Sequence, residues 1–186
     1  MQRYMVHLQN RSHTPKDATA LLCKARELVG RKVIVRDSRV SKKYIEFDAS
    51  VPDGMDVTEL VDKLAAISPP ASYEHIVERS RNKDEAIERA VELFNDEKYW
   101  EAHEALESVW KRAAGSEKNI LNGIILLAAA FVHDEKDEGE ICLSILQRAR
   151  KKLEGTGGVY HGINVDIIAD RVSEIINSGR IKRFTI

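Results

Sequence analysis

The stretch Lys98–Trp110, KYWEAHEALESVW, decides how the chain is read. Written on a helix, Tyr99, Ala102, Leu106, Val109 and Ala113 recur at spacings of three and four and make one apolar stripe. His103 and Glu107 are four apart and share a face, one turn from each other. At roughly 100° per residue they fall on the border of the stripe, between Trp100 and Trp110. A titratable pair set between two indoles at a core edge marks a candidate site without naming its reaction.

Helical periodicity continues from this stretch in both directions. Upstream, Asn82 with Glu85 three residues on reads as a helix cap, followed by the buried pattern Ile87, Ala90, Val91 and Phe94. Downstream, the central helix closes near Gly115, and Lys118–His133 is apolar nearly all round, as befits the middle of a bundle. Glu140–Leu153 forms a fourth helix, and a Gly-rich loop, Gly155–Asn164, leads to a fifth that ends at Gly179. Short links favour antiparallel neighbours.

The first third of the chain alternates element types. Arg3–Leu8, Lys32–Arg36, Tyr44–Ala49 and Tyr73–Val77 read as strands, with Asp37–Lys43 as a polar hairpin link. Thr14-Pro15 opens one helix and Asp56-Val57-Thr58 a second, which stops at Ser68-Pro69-Pro70. The order strand-helix-strand-strand-helix-strand is that of a ferredoxin-like sandwich. The predicted fold class is therefore α+β. A ferredoxin-like βαββαβ domain over residues 1–80 is followed by an antiparallel all-α bundle of about five helices over 81–186. The boundary falls in the polar stretch Arg79–Lys83.

Composition removes several function classes. Of 186 residues, 43% are hydrophobic and 32% charged, and the net charge of −1 gives no global attraction to nucleic acid or anionic lipid. Cys23 and Cys142 sit in apolar helical patterns and read as small buried hydrophobes in a reducing compartment. MQRYMVHLQN lacks a signal-peptide core, and the longest apolar run, Ile124–Val132, is about half a membrane span. A soluble cytoplasmic protein is expected, with no nucleic-acid or membrane partner. The basic set Arg31, Lys32, Arg36, Arg39, Lys42 and Lys43 is read as protection of a sheet edge. Gly155-Thr156-Gly157-Gly158 lacks the lysine and preceding strand of a phosphate loop and is read as a connection.

If the second and third bundle helices are antiparallel, Trp110 lies level with Asn122 and Tyr99 level with His133. His103, Glu107 and His133 then become candidate ligands for a divalent metal such as zinc. Asn122, about 16 Å along its helix from His133, belongs instead beside Trp110. The ligand-binding candidates are thus His103, Glu107, Trp110, Asn122 and Trp100. A zinc-peptidase HExxH is absent, and so are the Glu-x-x-His repeats of di-iron bundles. The third possibility is a carboxylate–imidazole bond that fixes helix packing.

Phe94-Asn95, Tyr99, Glu101-Ala102-His103-Glu104, Leu106-Glu107 and Trp110 resemble the opening motif of the domain of unknown function 309 family. Asn122-Gly123-Ile124-Ile125, Ala128-Ala129-Ala130, His133, Tyr160, Gly162 and Val165 extend the resemblance over about residues 83–178. Asn122 stands where that family more usually carries glutamine. The resemblance implies a compact helical domain with His103, Glu107, Trp110 and His133 in its signature, and no assigned activity. Two functions stay open. One is a module that binds a small molecule or protein partner, compatible with a homo-oligomer. The other is a metal-assisted hydrolase using His103, Glu107 and His133.

Overall fold

The computed structural model describes residues 1–77 and 82–186, and part of the expected boundary Arg79–Lys83 lies outside the described residues. The chain order is β1 (Gln2–Gln9), α1 (Ala18–Val29), β2 (Ile34–Val40), β3 (Tyr44–Val51), α2 (Val57–Leu64), β4 (Pro70–His75), then α3 (Lys83–Asn95), α4 (Tyr99–Trp110), α5 (Gly115–Asp134), α6 (Gly139–Leu153), a hairpin of β5 (Val159–Tyr160) and β6 (Ile163–Asn164), and α7 (Val165–Ser178). The class is α+β: a four-stranded antiparallel sheet first, helices after. Two compact units result. One is Met1–Arg79 with Glu135–Asp137, and the other is Ser80–Asp134 with Glu138–Ile186.

In the first unit the strands lie in the order β2-β3-β1-β4, all antiparallel, which is the split βαβ arrangement. Alternation sends Tyr4, Val6 and Leu8 of β1 and Ile45, Phe47, Ala49 and Val51 of β3 to one face. They pack there with Leu21, Ala25 and Val29 of α1 and Leu60 and Leu64 of α2. Asp56 caps α2 by accepting from the Thr58 amide at 2.9 Å.

Several boundaries depart from expectation, and Cys23 of α1, expected to be buried, is exposed. Asp37–Val40 belongs to β2, leaving only Ser41–Lys43 as the hairpin link. A register shift between Val35 and Asp37 lets these polar residues pair with Asp48, Phe47, Glu46 and Ile45, an outcome of pairing that no local pattern carries. Helix α2 stops at Leu64, short of Ser68-Pro69-Pro70, and β4 runs from Pro70 to His75 rather than over Tyr73–Val77, a proline being tolerated at the first position of an edge strand.

In the second unit, α5 supplies the largest share of the core. Its Leu121, Ile124, Leu127, Ala128 and Phe131 are buried with Phe94, Tyr99, Leu106, Leu146 and Val172. Gly123 faces α6, where a Cβ would come within 2.4 Å of Leu153 Cδ2, so any larger residue there would force the buried Leu153 side chain to shift. The unexpected β5–β6 hairpin turns through His161 (φ 47°) and Gly162 (φ 83°), a two-residue link with both angles positive.

A candidate ligand-binding face on the fourth helix

The turn into α4 is set by its predecessor. Asn82 caps α3 by accepting from the Glu85 amide at 2.9 Å, as the sequence pattern indicates. At the other end Glu97 adopts φ 61° and donates to the Phe94 carbonyl, while the Lys98 amide donates to Leu93 at 2.9 Å. That pair of bonds is a Schellman closure, with glutamate in the left-handed position usually held by glycine. It ends α3 and starts α4 within three residues. The core face of α4 (Tyr99, Ala102, Leu106 and Val109) is buried as expected.

Trp100, His103, Glu107 and Trp110 follow at steps of three, four and three, and all four are half-buried beside that core face. Their contacts are not those of a bonded pair. Glu107 reaches along the helix to Lys111, with 3.7 Å between carboxylate and ammonium. His103 Nδ1 lies 3.4 Å from Glu104, beyond good hydrogen-bond geometry, and that nitrogen is shielded from solvent with no hydrogen-bond partner among the described residues. Trp110 Nε1 is likewise shielded and unpartnered, while the Lys118 ammonium of α5 sits 4.9 Å from the centre of the indole. Asn122, one turn beyond Lys118 on α5, is half-buried.

His133 does not join this face. Its Nδ1 bonds Glu138 at 2.5 Å, beyond the end of α5. Among the described residues, His103, Glu107 and His133 therefore do not gather into a metal-compatible group. The physical reason is local: Glu107 and His133 each find a partner within five residues, at lower conformational cost than a ligand set spanning two helices.

Sequence reasoning missed a second cluster, in the first unit. Registers align Arg39 of β2, Glu46 of β3, His7 of β1 and Ser72 of β4 in one row across the sheet, on the face opposite α1 and α2. Arg39 Nε donates to Glu46 Oε1 at 2.8 Å, His7 Nε2 meets Glu46 Oε2 at 3.0 Å, and Ser72 Oγ lies 3.3 Å from His7 Nδ1. Next to this row, Arg3 makes a two-pronged bond to Asp48 at 2.9 and 2.6 Å. His7, Arg39 and Glu46 are 1%, 2% and 0% exposed, so Arg39 is no edge-guarding charge, contrary to the expectation for the basic set. The signal was the alternation of Tyr44, Glu46 and Asp48 against Ile45 and Phe47, whose polar side reads equally well as solvent-facing.

Burial alone would push the Glu46 carboxyl up; the Arg39 guanidinium and then the His7 bond more than reverse this and hold it at about 2, against an ordinary 4.5. A carboxyl depressed on folding stabilises the protein above its unfolded value, and that contribution is lost as pH falls from about 4.5 toward 2. Unfolding free energies measured over that interval should fall more steeply for the wild type than for Glu46→Gln. Parallel slopes would show that Glu46 is not the group responsible.

The second unit is a small helical bundle carrying a histidine–tryptophan face on its second helix. The chain belongs to the family described as Domain of unknown function (DUF309), matched over residues 87–144, from α3 into α6. A conserved hypothetical protein of Thermus thermophilus, known from a crystal structure, is 30% identical and covers 48% of this chain and 94% of its own, with a TM-score of 0.43. No curated protein matches the chain. Among the described residues no helix is long and apolar enough to cross a membrane.

Proposed function

We propose that the helical unit is a ligand-binding module whose site is the α4 face formed by Trp100, His103, Glu107 and Trp110. One observation carries this reading: His103 Nδ1 and Trp110 Nε1 are shielded from water yet lack hydrogen-bond partners among the described residues. Buried polar atoms without partners cost about 1–3 kcal/mol each, and folds seldom keep two on one helix face without a use. A ligand bearing an acceptor oxygen, such as a carboxylate or carbonyl, would satisfy the indole N–H. Lys118 beside the ring would favour an anionic group. No specific observation favours the metal-assisted hydrolase.

The test separates binding from packing. His103→Asn and Glu107→Gln should each shift unfolding by less than about 1 kcal/mol, because among the described residues neither side chain makes a bond between helices. His103→Asn should abolish the change in tryptophan emission that small carboxylates cause in the wild type, whereas Glu107→Gln, which removes a like charge from the face, should keep or strengthen it; Trp100 and Trp110, the chain's two tryptophans, flank the site and report it. Variants that unfold several degrees early, in a protein whose emission no carboxylate alters, would make the pair structural.

A further inference from the structure

The segment after α7 forms neither helix nor strand, yet it is pinned to the bundle. Gly179 closes α7 with φ 65°, and from Arg180 the chain runs across the ends of α3 and α5. Asn95, the last residue of α3, clasps the Ile186 backbone: its Nδ2 donates to the carbonyl and its Oδ1 accepts from the amide, both at 2.9 Å. Arg183 Nε donates to Asp134 at 2.6 Å in an ion pair only 12% and 20% exposed. The Phe184 ring meets Phe131 edge-on, with 5.7 Å between centroids. Ile181, Phe184 and Ile186 pack on the core, while Lys182 and Thr185 face outward.

These are the contacts by which a groove recognises an extended peptide. A side-chain amide reads a backbone amide without regard to sequence, while an aromatic shelf and a carboxylate select the side chains. We infer that the surface formed by Asn95, Phe131 and Asp134 is a peptide-binding groove, and that residues 181–186 are its tethered occupant. Its ligand class is an extended segment of the pattern apolar–x–basic–aromatic–x–apolar, of which IKRFTI is the chain's own instance. The tether makes the strap a competitor. A short link holds it at an effective concentration in the millimolar range, so a weak intramolecular contact suffices to keep the groove closed.

The experiment starts from the full chain. A specific protease site inserted between Gly179 and Arg180 allows the protein to fold with its strap attached, after which the link is cut. The probe is a fluorescent, end-blocked peptide of residues 180–186, followed by polarisation. The cut protein should keep its native tryptophan emission and take up the peptide saturably. The uncut protein should bind it about a hundredfold more weakly. Asn95→Ala in the protein, or Phe184→Ala in the peptide, should each weaken uptake about tenfold, the loss of one to two modest contacts. The peptide variant needs no change in the protein, so a folding defect in Asn95→Ala leaves the test intact. Three results would overturn the proposal: unfolding on cutting, which makes the strap part of the core; no exchange; or uptake indifferent to both substitutions.

Discussion

Arg39→Gln is expected to destabilise the first unit by about 3–5 kcal/mol, the largest effect of any single change considered for the sheet. Glu46 is fully buried and accepts from Arg39 at 2.8 Å, so glutamine leaves a buried carboxylate with its charge largely uncompensated. The neighbouring positions give the contrast. Arg31, Lys32, Lys42 and Lys43 are exposed, and glutamine at any of them should move stability by no more than about 0.5 kcal/mol. A double change of Arg39 and Glu46 to methionine removes both charges and should recover much of the loss, because a buried pair replaced as a unit leaves neither charge uncompensated. The measurement is urea unfolding followed by hydrogen exchange of β3 amides. If Arg39→Gln behaved like Lys42→Gln, the row across the sheet would contribute nothing to stability.

Phe131→Ala should cost the helical unit about 3–5 kcal/mol. The ring is fully buried and stands amid Phe94, Tyr99 and Phe184 at 5.8, 5.1 and 5.7 Å between centroids. Aromatic pairs of this kind add to simple burial, so removing the central ring loses area and geometry together. Tryptophan emission reports on this unit alone, since both tryptophans lie on α4. Its urea midpoint should drop sharply. A loss below about 1 kcal/mol would mean that the strap and its neighbours collapse into the space, and that this end of the bundle is far more plastic than its packing indicates.

Much of the architecture was legible in the residues themselves. The 3.6-residue period around Lys98–Trp110, the caps at Asn82 and Asp56, and the stop at Gly179 are local rules, and helices are built from local contacts. The presence of four strands and their order along the chain followed from alternation and from the turns and caps between them, whereas their order in the sheet, β2-β3-β1-β4, is a matter of pairing between distant segments. The two-residue hairpin at His161-Gly162 was within reach of those rules too, though the stretch reads first as a plain Gly-rich loop. What tertiary structure alone decided was where polar side chains point. One helical or strand pattern cannot tell a polar face in water from a polar face buried against its own charges, so Glu46 and Arg39 read as surface until strand pairing set them in one row. Likewise, spacing places His103 and Glu107 on one face, but rotamers turn Glu107 toward Lys111 and His133 toward Glu138, because a partner close by in the chain costs less entropy than one on another helix.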